Sequence, residues 1–435
     1  MSIAVSRMLS DADIPAAPNR GLAPIAVRYG LSAAGPLCIS AAHFVAAIVF
    51  LHAFTRAEFG LFSFLLVIVP FCLSLSGALV GAPVAIAVRR GAMEHGEIGT
   101  YLKTNLALGA AAAACIFLLM RASEAAWLLA AIFGAYGGAM TLRWFARTLC
   151  YAKGPAVRVL LSDLLYSLVL LAGLFVLRGL HALDPLRAAE LLFVACAIAL
   201  LSFGRLYLDE QFRPSANGSL AGYRAIWLEL ARWSAAGVIL TEFTVNAHAY
   251  LVTFLCGPAA FAPLAAGALF IRPVQLVLSA VPDRERPVMA RLLGRGDRMG
   301  ARHSVNQFRM AAGAAWLATV TASAVLLTWF PQLVLKKGYD PAQALIVLGF
   351  FAAIMAARTL RTPESVLLQA AGQFRPLAHA SLWACVVSLA ATLLLLLIAG
   401  PVFSLAGILG GELVVTMRVL ALSRRWMEAP WPTSS

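Results

Sequence analysis

FGLFSFLLVIVPFCLSLSGALVGAPVAIAV (59–88) contains no charged residue. A helix rises 1.5 Å per residue and needs about 20 apolar residues to cross a hydrocarbon layer of ~30 Å. This stretch suffices, and similar ones recur on both sides of it. Twelve spans are predicted. Six lie near 31–53, 60–86, 104–122, 124–146, 157–178 and 187–207; six more lie near 233–256, 258–281, 310–330, 343–359, 377–399 and 401–421. Of the 435 residues, 61% are hydrophobic and 12% charged, against ~45–50% and ~25% in soluble domains. A cytosolic enzyme, a disulfide scaffold and a disordered chain are excluded. The expected fold is an all-α polytopic membrane protein, two six-helix bundles around a central cavity.

The net charge is +14. On a soluble protein that would suggest nucleic acid. Here the basic residues fall between apolar runs, which indicates topology and contact with anionic lipid rather than a nucleic-acid partner. With the N-terminus in the cytoplasm, 27 of the 34 Lys and Arg fall on the cytoplasmic side, six lie outside and Arg272 falls within a span. Both termini are therefore expected inside. Residues 1–28, with Pro15, Pro18 and Pro24, show no cleavable signal peptide. The expected organisation is a cytoplasmic segment 1–28, a bundle 29–208, a cytoplasmic linker 209–232, a bundle 233–422 and a cytoplasmic tail 423–435. External connections are short. The two longest connections, about 208–232 and 282–309, are cytoplasmic, and each is expected to hold an amphipathic surface helix. The second, DRERPVMARLLGRGDRMGARHSVNQFR (283–309), is the most basic stretch. It reads either as a topology anchor on anionic lipid or as a substrate-capture element. The seven cysteines are scattered without a CxxC pair and read as small core- or lipid-facing residues.

Six spans followed by six suggest a duplication. Aligning Phe59 with Phe261 gives an offset of 202 residues, which brings Pro70 within one residue of Pro273 and Arg89 and Arg90 near Arg291. Halves of six spans share one orientation, so the repeat is parallel about an axis along the membrane normal.

An ionisable residue at mid-bilayer costs roughly 2.5–3.5 kcal/mol on insertion scales, so such residues face the protein interior or a wet cavity. His43 lies in span one, Asp163 in span five, Glu242 and His248 in span seven, Arg272 in span eight and Glu412 in span twelve. Glu242 and Asn246 share a helix face, and the 202 offset puts His43 opposite position 245. Spans one and seven are thus expected to line a shared cleft. The candidate substrate residues are Arg272, Glu242, Asn246, His248 and His43; the candidates for ion coupling are Glu242, Asp163 and Glu412. Each also has a packing reading, interhelical hydrogen bonding. Arg272 precedes Pro273, which frees a backbone carbonyl and can open the helix. Its guanidinium suits either a phosphate, bound bidentately, or a structural pair with Glu242 or Asp163. Gly77xxxGly81, Gly134xxxGly138 and Gly407xxxGly411 read as close helix contacts.

No Walker loop, HExxH, GxSxG or strand-borne GxGxxG is present, and nothing points to catalysis, a metal or a cofactor. No acidic pair sits on a large external loop.

LHAFTRAEFGLFSFLLVIVPFCLSLSGALVGAPVAIAVRRG (51–91), with Glu58-Phe59-Gly60-Leu61-Phe62 at the turn into span two, resembles the start of polysaccharide export flippases. LVTFLCGPAAFAPLAAGALFIRPV (251–274), followed by GRGD (294–297), resembles the family's second-half counterpart. Phe261-Ala262-Pro263 stands where members often have a more regular Gly-Pro-Tyr pattern. The family, Wzx-type oligosaccharide flippases, belongs to the multidrug/oligosaccharidyl-lipid/polysaccharide exporter superfamily. The resemblance implies alternating-access flipping of a lipid-linked oligosaccharide, carried on undecaprenyl pyrophosphate, across the bacterial inner membrane. The product would feed O-antigen of lipopolysaccharide, capsule or exopolysaccharide. Implied partners are that lipid, membrane lipids and polysaccharide polymerase or assembly proteins. Two alternatives remain at this point: a cation-coupled multidrug or metabolite exporter of the same fold, which would favour an acidic cavity, and a membrane polysaccharide polymerase or ligase, which would need a larger external loop.

Overall fold

The computed structural model describes residues 22–89, 95–153, 156–212, 218–336 and 338–429. Most of the expected N-terminal segment and the end of the tail lie outside these ranges, as do Arg90 and Lys337. The first half comprises α1 (Leu22–Ala53), α2 (Arg56–Ser76), α3 (Ala82–Arg89), α4 (His95–Ala122), α5 (Trp127–Lys153), α6 (Ala156–Gly179) and α7 (Pro185–Leu201). The linker holds α8 (Arg205–Phe212) and α9 (Tyr223–Ile226). The second half comprises α10 (Arg232–Cys256), α11 (Pro258–Phe270), α12 (Arg272–Gly294), α13 (Arg298–Trp329), the short α14 (Pro331–Val334), α15 (Pro341–Ala370), α16 (Phe374–Ala399) and α17 (Ser404–Glu428).

Among the described residues, ten helices are long and apolar enough to cross a membrane, or eleven with α11 and the first turns of α12, bent by 63°, counted as one broken span. The sixth place is taken by α7, whose 17 residues give about 25 Å. Every expected span therefore corresponds to a helix or a broken helix. Among the described residues there is no strand, as lipid demands of a chain that must satisfy its own backbone.

Local chemistry sets where the helices begin. At α2, the Thr55 hydroxyl accepts the Glu58 N–H at 3.3 Å while the Glu58 carboxylate accepts the Thr55 N–H at 2.8 Å. Asp184, Asp297 and Asp340 cap α7, α13 and α15 by accepting N–H groups of their first turns. Gly257, at φ 85°, makes the reversal between α10 and α11 that a side chain would strain.

The halves repeat each other in packing. In the first, α4 lies on α5, α5 on α7, α7 on α6, α6 on α1 and α2 on α5. In the second, α13 lies on α15, α15 on α17, α17 on α16, α16 on α10 and α11 on α15. These are the same pairings, span for span. Small residues permit two of them. A Cβ on Gly138 would stand 2.9 Å from Gly109 O between α5 and α4, and one on Gly411 2.9 Å from Ala384 O between α17 and α16. Gly81 packs closely too, a Cβ there standing 3.3 Å from Thr148 of α5, and Gly77 and Gly81 also bound a π turn that joins α2 to α3.

The long basic connection also differs. No separate surface helix occupies 282–309; instead α12 runs on to Gly294 and α13 starts at Arg298, joined by a tight turn. Asp297 caps α13 within that turn, so the charged residues extend two spans rather than forming a third element. In the linker, short helices do form, and α9 leads through a second π turn at Trp227–Ala231 into α10.

Candidate transport cavity

The halves meet along α2, which packs on α10 and α11. At the end away from the basic connections they are pressed together. A Cβ on Gly60 would fall 1.8 Å from Pro258 O, so only glycine allows this approach. Beside it the Lys336 ammonium donates to Phe54 O at 2.6 Å, Arg56 lies over the Tyr339 ring at 5.0 Å, and Phe64 meets Tyr250 edge-on. An apolar plug of Phe50, Phe54, Phe62 and Phe133 lies behind the seam.

Beyond the seam lies a cavity in two parts that share lining residues. A part of about 190 Å³ lies between the halves and is lined by α2, α10, α11, α15 and α17, with Ser63, Asn246, His248 and Arg358 as polar groups. A part of about 590 Å³ is lined by α1, α2, α5 and α12, mostly by apolar side chains such as Phe44, Leu73, Trp144 and Leu276. Leu66, Pro70, Arg272 and Gln275 line both. Among the described residues, the lining of the two parts includes two arginines and no carboxylate.

The shared boundary is a helix break. Ile271, at φ −97° and ψ 0°, separates α11 from α12. Pro273 has no N–H to continue the ladder. The Ser323 hydroxyl donates to Phe270 O at 3.0 Å, satisfying a carbonyl at the break. Arg272 therefore stands at the N-terminus of α12, where the helix dipole adds positive charge. It has no ion-pair or hydrogen-bond partner among the described residues. Pair formation with Glu242 or Asp163, one of the two sequence readings, does not occur.

The other candidates divide. His43 lines the larger part; its Nε2 is 2.9 Å from the Tyr166 hydroxyl, itself 3.0 Å from that of Tyr136. Asn246 and His248 line the smaller part, and the His248 ring lies between Phe261 and Phe351. Glu242 does not line the cavity. Its carboxylate accepts from Tyr250 at 2.8 Å and from Asn246 at 3.1 Å and has no cationic partner among the described residues. Asp163 lies 2.6 Å from Arg143 and 3.0 Å from Arg147, all buried. Glu412 lies 2.8 Å from Arg358 and 3.1 Å from Arg361. These four arginines lie inside α5 and α15. Arg358 and Gln275 are cavity residues that sequence reasoning missed. The available signal was spacing: Arg143 and Arg147, like Arg358 and Arg361, share a helix face next to an apolar run.

The chain is an all-helical polytopic membrane protein whose fold is similar to that of solved transporters. A multidrug resistance MATE family transporter of the MOP superfamily, inward-facing, covers 94% of this chain and 96% of its own with a TM-score of 0.66 at 16% identity. An outward-facing one covers 92% and 95% with 0.59 at 14%. A MOP superfamily transporter from Pyrococcus furiosus, described by the reverse polarity of its binding pocket, covers 92% and 95% with 0.60 at 14%. No protein-family model and no curated protein matches the chain.

Proposed function

We propose that the protein is an alternating-access flippase for a lipid-linked anionic oligosaccharide in the bacterial inner membrane, with both termini cytoplasmic. The observation that carries this reading is Arg272, a guanidinium at a helix break that has no partner among the described residues, in a cavity whose described lining holds two arginines and no carboxylate. A glycan on a diphosphate cannot cross ~30 Å of hydrocarbon unaided. Arg272 and the positive end of α12 hold the diphosphate by charge-assisted hydrogen bonds. Asn246 and His248 offer partners to sugar hydroxyls, and the lipid tail stays in the bilayer. The basic end is cytoplasmic by the distribution of Lys and Arg. The seam at Gly60 and Pro258 then closes the outer side, in keeping with the greater likeness to the inward-facing neighbour. Rocking the halves about this seam exposes Arg272 to each side in turn.

Glu242 serves as the site of the coupling proton, since it is hydrogen-bonded and has no cationic partner among the described residues. Asp163 and Glu412, each held by two arginines, keep the spans in register instead. A cation exporter of this fold would need acidic groups in the cavity. The test is flipping of a fluorescent lipid-linked oligosaccharide in proteoliposomes. Loss of charged hydrogen bonds at ~1.5–3 kcal/mol predicts that Arg272→Ala slows flipping about 10- to 100-fold while the protein stays folded in the membrane. Undiminished flipping by Arg272→Ala, or efficient extrusion of a cationic dye by the wild type, overturns the assignment.

A further inference from the structure

A second arginine-lined pocket lies away from the transport cavity. It has a volume of about 210 Å³ and is formed by Arg302 and Arg309 of α13, Leu360 and Glu364 of α15, and Leu420 and Arg424 of α17. We propose that it binds the phosphate of an anionic phospholipid from the leaflet at the basic end. Glu364, 2% exposed, accepts from Arg302 at 2.8 Å and also from Arg309 and Ser423. That pairing explains why two arginines gather at one buried carboxylate. It does not explain Arg424, a third arginine that lines the same pocket and has no acidic partner among the described residues. Three positive charges against one negative leave the pocket at +2. Packed like charges repel unless an anion sits between them. Donors remain to hold it: Arg302 and Arg309 are 35% and 29% exposed, and Arg309 Nε is buried without a hydrogen-bond partner.

Depth identifies the anion as a lipid headgroup. Trp329, exposed, marks the far end of α13, and from Arg309 to Trp329 the helix rises roughly 30 Å, the thickness of the hydrocarbon core. The same rise separates Ser404, at the start of α17, from Arg424. The pocket therefore lies at headgroup level. Its apolar wall faces the acyl chains: Leu360 is exposed, and exposed Met417 shares a helix face with Leu420 and Arg424. Basic pockets between spans at this depth suit phospholipid phosphates.

The test is native mass spectrometry of the full-length protein, titrated with phosphatidylglycerol and, separately, with phosphatidylcholine. Wild type is expected to retain phosphatidylglycerol preferentially. Arg424→Gln is expected to bind it about fivefold more weakly, from ~1 kcal/mol per basic residue. Arg295→Gln, in the exposed turn outside the pocket, is expected to bind as wild type, and inorganic phosphate is expected not to displace the lipid. Wild-type binding by Arg424→Gln overturns the site. An equal loss in Arg295→Gln reduces it to diffuse attraction, and displacement by inorganic phosphate overturns the lipid as ligand.

Discussion

The two halves use the same helix pairings but spend their charges differently. In each, the fourth span carries two arginines that hold a buried carboxylate: Arg143 and Arg147 of α5 hold Asp163, and Arg358 and Arg361 of α15 hold Glu412. The carboxylate comes from the fifth span in the first half and from the sixth in the second. The second span of each half differs more. Under the 202 offset, Arg272 corresponds to Pro70, and both line both parts of the cavity. Span two passes Pro70 without breaking and relaxes only at its π turn, whereas span eight breaks at Ile271 and bends by 63°. A duplicated scaffold thus offers two equivalent positions, Pro70 in one half and Arg272 in the other, and of these two only Arg272 is a cation.

The carboxylates test the comparison most severely. In the first half the ion pair is sealed, with Arg143 wholly buried and Arg147 at 5% exposure. Asp163→Ala leaves both guanidinium groups without a counter-charge and should cost about 3–5 kcal/mol, visible as a lowered melting temperature in detergent or as loss of folded protein. Glu412→Ala should cost less, about 2–3 kcal/mol, because Arg358 and Arg361 are 16% and 23% exposed and Arg358 borders the cavity. The reverse order would end the view that the two clusters are equivalent in role and unequal only in burial.

The seam comes next. Gly60→Val pushes a side chain onto the Pro258 backbone, an overpacking cost of about 1–3 kcal/mol charged only to the closed arrangement. Trapping of Arg56→Cys with Tyr339→Cys by a bis-maleimide cross-linker, on a background without the native cysteines, should fall accordingly. Unchanged trapping would show that the seam does not govern closure. The smallest effect belongs to the break. Ser323→Ala removes the hydroxyl that satisfies Phe270 O and should cost about 0.5–1.5 kcal/mol in unfolding measurements; no change would mean that the broken span satisfies its carbonyl otherwise.

Much of the architecture can be read from the chain alone. Apolar length marked the spans from α1 to α17, and the Arg272–Pro273 pair marked the break. The polar face of span seven was read as a unit, yet Asn246 and His248 line the cavity while Glu242 lies outside it. Helical spacing gives a residue's angle on its own helix, but not which neighbour covers that angle.

The division has a physical basis. Partition between lipid and water depends on the composition of about 20 consecutive residues, so span positions and the bias of basic residues to one side were already contained in the sequence. Whether a buried charge is neutralised depends on a group elsewhere in the chain: 20 residues separate Arg143 from Asp163, 54 separate Arg358 from Glu412, and 62 separate Arg302 from Glu364. Only the packed bundle brings these groups within 3 Å of one another, and only it leaves Arg272 without a hydrogen-bond or ion-pair partner among the described residues.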